Sequence, residues 1–429
     1  MIPELRRQFN EGFTAERYEI LRAVLDRRSS AKVEFRVSET PVFVTQAMME
    51  QLSAAGEALA SSLIANAEYL EAARRAIPRG FCVASETAHP HFLTADFALV
   101  RDAGGDLVPR LVEIQAFPSV FGYQSVLCTA YRECFDLPDS LGTFLGGLSE
   151  EGYWKLLSQA ILGEHDPENV VLTEVDPLHQ KTLPDFRITA HRLGIHVVDI
   201  ATLEAVGDSL HYRNEQGRLT PIRRIYNRAI ADELIARKIR LRFDLTQSWN
   251  VEWAGHPNWY FLISKFSVPW LSRTASGSAS VVPPAVFLDD FLTGDGRAQL
   301  EAAGVELPKG RDSNTVYRNL LLKPLFSFAG KGIQFDPAQA QLESIAVEER
   351  PQYLLQQRMH FEPTIETPHG LTQAEFRILY LWPDGGKLTP ALSLVRLGRG
   401  KMMGVDHNKN QQWVGASAAF YLPSGRQRL

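Results

Sequence analysis

The segment LLLKPLFSFAGKGIQF, residues 320–335, combines a lysine with a glycine-containing loop in an order suited to binding phosphate groups. An apolar run predicts a strand that carries Lys323, and the loop behind it contains Gly330, Lys331 and Gly332. Glycines let backbone N–H groups approach a phosphate chain, and a lysine ammonium neutralises phosphate oxygens. The segment is not a P-loop, which requires GxxxxGK[ST] followed by a helix. An ordinary hairpin with glycine in its turn is the alternative interpretation.

Oxygen ligands occur on two strands predicted at residues 91–100 and 110–117. Glu113 and Gln115 lie two positions apart and therefore project from the same face of their strand. Such oxygen donors suit Mg²⁺, which also takes phosphate partners. Asp96 falls inside the apolar segment LTADFALV, where an unpaired carboxylate is costly. The pattern predicts metal ligands, although Glu113 and Gln115 also fit a solvent-facing alternation.

Two later strands carry further candidates. The segment YLLQQRMHFEP, residues 353–363, ends an apolar strand in Gln356 and Gln357, which suit a hinge that hydrogen-bonds an adenine ring. The segment EFRILYLW, residues 375–382, places Arg377 on an otherwise apolar strand. A guanidinium there is suited to holding a phosphoryl group in two hydrogen bonds. The hinge interpretation is weak on its own, since many apolar strands end in polar residues.

A basic, glycine-punctuated loop follows in the segment VRLGRGKMMGVDHNKN, residues 395–410. It contains Arg396, Arg399, Lys401, His407, Asn408 and Lys409. The functional interpretation is an anion-binding wall above an active site. A basic loop exposed to solvent is the alternative.

The elements predicted to carry these residues are both helices and strands, and we divide the chain into four regions. Residues 1–90 are predicted to be a helical N-terminal region, and residues 91–168 contain the carboxylate strands and following helices. Residues 169–250 form a predicted βαβ unit, since a strand, a helix at 183–193 and a second strand follow one another. Residues 251–429 carry the lysine strand, the glycine loop and the hinge.

Composition narrows the classes of partner. The 429 residues have a net charge of −5 and are 45% hydrophobic, so we expect neither nucleic-acid nor membrane binding. Three cysteines give no disulfide framework. The polar N-terminal segment and the lack of a run of about 18–20 apolar residues predict a cytoplasmic protein.

Taken in order, the motifs resemble the ATP-grasp superfamily, and most closely its circularly permuted branch of glutathionylspermidine synthase and eukaryotic glutathione synthetase. The segment KPLFSFAGKGI resembles the branch's Lys-Pro and glycine loop, YLLQQ its hinge strand, and RLVEIQAFPSVFG its Glu-x-Asn strand. The metal strands precede the glycine loop, which indicates the permutation. The resemblance implies a mixed α/β (α+β) fold, a permuted ATP-grasp, in which the βαβ unit is an inserted substrate-binding sub-domain.

The resemblance also implies roles for individual residues. Asp96 and Glu113 match the magnesium carboxylates, while Gln115 departs from the pattern by replacing an asparagine. Lys323 and, earlier in the chain, Lys265 match phosphate-contacting lysines, Gly330–Gly332 the flap loop, and Gln356 and Gln357 the adenine hinge. Arg377, Arg399 and Lys401 are expected to stabilise the transferring group, with Arg228 and Asn408 as substrate contacts.

The implied activity is that of an ATP- and Mg²⁺-dependent ligase that joins a carboxylic acid to an amine or thiol through an acylphosphate and releases ADP. Small-molecule or peptide acids and an amine are the expected co-substrates. Three alternatives stay open: a nucleotide-binding protein without catalysis, a kinase that phosphorylates a hydroxyl, and a glycosyltransferase suggested by the βαβ unit. The sequence leaves the identity of the substrates and the oligomeric state open.

Overall fold

A seven-stranded sheet, called here the main sheet, organises the molecule. The computed structural model describes residues 1–274, 280–327, 330–404, 408 and 410–423. The main sheet consists of β1 (Val42–Thr45), β2 (Phe92–Arg101), β3 (Leu107–Gln115), β15 (Pro363–Thr367), β16 (Gly370–Leu381), β17 (Thr389–Gly398) and β18 (Gly415–Leu422). Its order is β1-β18-β17-β16-β2-β3, and β15 pairs with β16. Pairing is antiparallel except between β1 and β18.

The main sheet is covered on both faces. Two helices at the N-terminus, α1 (Pro3–Gly12) and α2 (Ala15–Ser29), pack on one face together with α5 (Phe121–Cys134) and α6 (Glu150–Leu162). The other face packs against α3 (Gln46–Ile64), α4 (Ala67–Arg75), α9 (Trp259–Leu262) and α10 (Ser267–Thr274). Because both faces are covered, β2 is buried from Phe92 to Leu99 and lacks the apolar–polar alternation of a half-exposed strand.

A second, parallel sheet has the strand order β10-β9-β4-β5. Its strands are β4 (Val170–Glu174), β5 (His196–Asp199), β9 (Arg224–Asn227) and β10 (Glu252–Ala254). Helix α7 (Leu183–Leu193) connects β4 to β5, so the predicted βαβ unit is confirmed. A small antiparallel sheet of β6 (Glu204–Val206), β7 (Ser209–Arg213) and β8 (Leu219–Pro221) follows, and α8 (Ala231–Ala236) comes directly after the β9 loop.

The remaining sheet carries the lysine segment. It is antiparallel, in the order β11-β14-β12-β13, with β11 (Ala285–Phe287), β12 (Leu320–Pro324), β13 (Gln334–Phe335) and β14 (Tyr353–Gln357). Helices α11 (Leu288–Thr293), α12 (Asp295–Ala302) and α13 (Gln339–Glu343) belong to the same part of the chain. Leu288, Phe291, Leu320, Leu322 and Leu355 form its separate core.

The structure agrees with the predicted mixed α and β fold and corrects it in one place. Residues 1–90 are not wholly helical, because Val42–Thr45 form β1 and pair with Ala419–Leu422 near the other end of the chain. Such long-range pairing leaves no local signal in a four-residue strand. The division into four regions stays a prediction. Among the described residues, none of the helices combines the length and apolar character needed to cross a membrane.

A buried arginine joins the parallel sheet to the main sheet. The guanidinium of Arg224, only 2% exposed, lies 2.5 Å from Glu252 and 2.7 Å from Asp384, which follows β16. His91, which precedes β2, lies 2.9 Å from the same Asp384 carboxylate. Arg224 also donates to the backbone carbonyls of Ala160 and Ile161. These bonds fix the amino end of strands β9 and β10 relative to the charged strands described next.

Candidate active site

Charged side chains follow apolar ones along one face of the main sheet. On β16, Leu381 and Leu379 pack in the core that contains α5. Side chains alternate along a strand, so the next residues on this face are Arg377 and Glu375. Arg377 stands directly opposite Asp96 on β2. The sheet therefore builds a buried charged surface as a continuation of its apolar face.

Asp96, a predicted magnesium ligand, is held by two arginines. It is 1% exposed, and its two carboxylate oxygens accept hydrogen bonds of 2.6 Å each from Nε and Nη2 of Arg377. Arg396 on β17 donates to Oδ2 at 3.2 Å. Burial alone raises the pKa of Asp96, but the two guanidinium groups hold it below its usual value. Asp96 is therefore ionised and paired, as the cost of an isolated buried carboxylate requires.

Glu375 extends the charged row to β17. Its carboxylate accepts a hydrogen bond from Arg396, which stands opposite it in the sheet. Burial raises the pKa of Glu375 to about 7, although Arg396 opposes that shift. The two arginines thus face three carboxylates, since Arg377 also approaches Oε1 of Glu113 at 3.7 Å.

Glu113 and Gln115 lie at the end of this row of charged side chains, where the row borders a pocket. Both project from the same face of β3, as predicted. Asp96 and Glu113 are cross-strand neighbours. The Gln115 amide donates to Glu113 Oε1, and the Lys265 ammonium lies 3.7 Å from Glu113 Oε2. These three side chains line a pocket of about 280 Å³, including solvent at its mouth, together with Tyr260 and Ser327. We call it the phosphate pocket.

Lys265 reaches this pocket from the segment between α9 and α10. Its ammonium donates to the backbone carbonyl of Ser327, in the loop that follows the lysine strand. The side chain is largely buried. The contact brings together two segments that are separated by more than 60 residues in the chain. Lys265, expected only from the resemblance, therefore lies beside Glu113.

Lys323 lies across the site, on β12. It is 5% exposed, and its ammonium donates to Oε1 of Gln356 on the neighbouring strand β14 at 2.7 Å. The pKa of Lys323 is lowered to about 8, chiefly by burial; Glu113 opposes this shift and Lys265 contributes to it. The amide nitrogen of Gln356 is buried and has no partner among the described residues. An unpaired buried donor of this kind is suited to a ligand acceptor.

The glycine loop lies against the loop that follows β17. Gly330 has φ +72°, and a Cβ atom there would lie 2.2 Å from the terminal methyl of Met402. Gly332 also has a positive φ, +80°. Lys401 places its ammonium 5.6 Å from the centre of the Phe335 ring on β13. The positive φ therefore favours glycine at 330, whereas the Met402 methyl ends a flexible side chain and does not by itself require glycine.

Several predicted residues are not brought into the charged row. Arg399 donates to the backbone of Gln412 and to Thr367, and Lys331 is exposed. Asn408 donates to the carbonyls of Met402 and Gly404, which shapes its own loop. Gln357 is half-buried at the end of β14. The roles of Arg399, Lys401, Lys331, Asn408 and Gln357 stay predictions, and His407 and Lys409 lie outside the described residues.

Arg228 is buried in the parallel-sheet region. Its guanidinium donates to the Pro118 carbonyl, lies 3.6 Å from Asp185, and stacks near the rings of Phe117 and Phe186. These contacts hold the segment after β3 against α7. They give Arg228 a structural role, and its action on a substrate stays a prediction.

Sequence reasoning missed Glu375 and Tyr260, and it placed Arg396 in the basic loop, whereas Arg396 lies on β17 in the charged row. A signal existed for Glu375, since it lies two positions before Arg377 inside an apolar strand, as Asp96 does in its own strand. Tyr260 carried no such signal, because it belongs to a tryptophan- and phenylalanine-rich segment that suggests only packing. Its position at the phosphate pocket follows from tertiary structure alone.

The side chains present fit a magnesium nucleotide in a restricted way. No group of three or more His, Cys, Asp or Glu side chains placed to hold a metal occurs within the described part of the chain. Mg²⁺ commonly uses one or two protein oxygens and completes its shell with phosphates and water. Glu113 and Gln115 supply two such oxygens in one pocket, whereas Asp96 is occupied by arginines.

Comparison with known proteins shows the fold. No protein-family model matches the chain, and no curated protein matches it. Solved structures do match, 28 chains in all. One is the ligand-free structure of a glutathione synthetase-like effector from Globodera pallida, with a TM-score of 0.55 and 12% sequence identity over 95% of this chain and 96% of that one. At this identity the likeness concerns the fold alone, which is glutathione synthetase-like.

Proposed function

We propose that this protein is an ATP-grasp ligase of the permuted type, which uses ATP and Mg²⁺ to join a carboxylic acid to an amine. One observation carries the proposal: Glu113, Gln115 and Lys265 line a single pocket, and Lys323 lies close enough for Glu113 and Lys265 to influence its pKa. Cations beside oxygen ligands are what a magnesium triphosphate requires. The glutathione synthetase-like fold supports the same conclusion.

Each group has a defined task in the proposed reaction. Lys265 and Lys323 bind phosphate oxygens, and the unpaired amide nitrogen of Gln356 donates a hydrogen bond to an acceptor atom of the nucleotide. Glu113 and Gln115 would hold Mg²⁺, which would neutralise phosphate charge when bound. Arg377 and Arg396 do not meet the phosphates directly; they hold Asp96 ionised and fix the charged face of the sheet.

The chemistry proceeds in two displacements. A substrate carboxylate oxygen bonds to the γ-phosphorus of ATP, and ADP leaves with the bridging oxygen. The amine nitrogen then attacks the acyl carbon of the acylphosphate, loses a proton, and inorganic phosphate departs. Positioning and charge neutralisation account for such catalysis, so no nucleophilic side chain is needed.

An isotope experiment tests this proposal. Carboxylic acids labelled with ¹⁸O in the carboxylate are incubated with ATP, Mg²⁺ and a panel of amines, and the released phosphate is analysed by mass spectrometry. One labelled oxygen in phosphate, formed only when acid and amine are both present, supports the ligase. A stable phosphorylated hydroxyl compound made without amine would instead identify a kinase. Lys323→Met is expected to abolish the reaction, and Lys309→Met, an exposed lysine on the same part of the chain, serves as the control.

A second candidate, nucleotide binding without catalysis, is favoured by the state of Asp96. Both of its oxygens are bonded to guanidinium groups, which leaves Glu113 as the predicted magnesium carboxylate that lines the pocket, and Glu113 already accepts a hydrogen bond from Gln115. ATP-induced stabilisation without ADP release under any combination of acid and amine would support this candidate over the ligase.

A further inference from the structure

An apolar pocket lies at the carboxyl ends of the parallel strands. Asn227 ends β9, Ile200 follows β5, and α8 closes one side with Leu234. The pocket encloses about 340 Å³, including solvent at its mouth. Ligands in parallel α/β sheets bind outside the carboxyl ends of the strands. The place in the fold therefore suits a ligand, and the lining decides its chemistry.

Most of the side chains that line this apolar pocket are apolar, although part of its surface is polar. Phe81, Ile200, Leu234, Leu245 and Phe261 form its walls, while Asn227 and Tyr260 are its polar members. Small ligands gain most of their binding energy in such pockets by burying apolar surface. A charged group placed there would lose its hydration without finding a countercharge.

Tyr260 connects the apolar pocket to the phosphate pocket, because its ring lines both. Its hydroxyl donates to Oδ2 of Asp232 at 2.9 Å. The Asp232 carboxylate stands at this boundary and disfavours a second carboxylate on the apolar side. In the phosphate pocket, on the other side of Tyr260, the Lys265 ammonium attracts a carboxylate. A ligand that spans both pockets is therefore oriented with its carboxylate toward Lys265 and its hydrocarbon toward Leu234.

We infer that the apolar pocket holds the hydrocarbon part of the acid substrate, so that the preferred acid is a monocarboxylic acid with an apolar chain. The inference rests on the proposed function, because the acid is a substrate only if the protein is a ligase. Binding of the acid, however, does not depend on turnover. An acid with a second charged end would place that charge among Ile200, Leu234 and Leu245.

Hexanoate and hexanedioate are suitable probes, since they have the same number of carbons and differ in a terminal methyl or carboxylate. Binding to the full chain is measured by calorimetry and ligand-observed NMR, without ATP and with a non-hydrolysable ATP analogue. Hexanoate is expected to bind at least tenfold more tightly than hexanedioate. Equal affinities, or tighter binding of hexanedioate, would overturn the inference.

Substitutions in helix α8 test where hexanoate binds. Ala231→Leu inserts a side chain into the pocket and is expected to weaken hexanoate binding at least fivefold, whereas Ala236→Leu, exposed on the same helix, leaves it unchanged. Leu234→Ala enlarges the pocket and shifts preference to octanoate, which covers a folding failure of the first variant. Unaltered hexanoate binding in folded Ala231→Leu and Leu234→Ala contradicts the proposed position of the hydrocarbon chain. Hexanoate binding with no ADP release for any combination of acid and amine would remove the ligase assignment and leave the pocket in place.

Discussion

Replacing Lys323 with methionine is expected to stabilise the protein at neutral pH while weakening ATP binding. The ammonium is buried, and its pKa falls from 10.5 to about 8 on folding. Because a difference of one pKa unit corresponds to about 1.4 kcal/mol, keeping this lysine charged costs about 3 kcal/mol of folding free energy at pH 7. A binding site for phosphate accepts such a penalty, since the ligand supplies the missing countercharge.

The pH dependence separates charge from other effects of the substitution. Between pH 8 and 10.5 the unfolded chain binds more protons than the folded one, so wild-type stability rises with pH over this window. The penalty falls from about 3 kcal/mol at pH 7 to about 1 kcal/mol at pH 10. The uncharged methionine of Lys323→Met removes this penalty at both pH values. Loss of the bond to Gln356 costs about 1–3 kcal/mol at either pH and cancels in the comparison.

Urea denaturation of wild type, Lys323→Met and the exposed-site control Lys309→Met at pH 7 and pH 10 checks this reasoning. The advantage of Lys323→Met over wild type should be about 2 kcal/mol larger at pH 7 than at pH 10. Calorimetry should show ATP binding at least tenfold weaker in this variant and unchanged in Lys309→Met. A stability difference that is the same at both pH values would refute the claim that Lys323 is held charged in an unfavourable environment.

Three further perturbations test other parts of the structure. Burial raises the pKa of Glu174 to about 7, so the folded chain binds more protons than the unfolded one between pH 4.5 and 7, and stability falls as pH rises through that window. Glu174→Gln should therefore raise the free energy of unfolding by up to about 3 kcal/mol at pH 8 and by under about 1 kcal/mol at pH 5, measured by denaturation. Arg224→Met removes a guanidinium bonded to Asp384 and Glu252. Since these carboxylates are more than half exposed, the free energy of unfolding should fall by about 2–3 kcal/mol, less than for a fully buried pair. Glu113→Gln should abolish the Mg²⁺ dependence of ATP binding in calorimetry, and retention of that dependence would remove Glu113 from the metal site.

The local parts of the fold follow from sequence patterns. Apolar runs predicted strands that the structure has at Phe92–Arg101, Leu107–Gln115 and Tyr353–Gln357, and the helix predicted at 183–193 is present as Leu183–Leu193. The costly position of Asp96 inside an apolar run predicted that it is paired or metal-bound, and pairing is what the structure shows. These predictions succeed because side-chain periodicity and burial costs act over a few residues.

Which groups meet in the candidate site depends on tertiary structure. Asp96 and Arg377 are 281 positions apart, and only the sheet order β16-β2 makes them neighbours. In the same way, docking of the loop after β12 against the segment before α10 brings Ser327 to Lys265. The sequence by itself determined which strands carry charge and on which face each charge lies. The order of strands, set by packing over the whole chain, decided that Asp96 binds arginines and that Tyr260 joins two pockets.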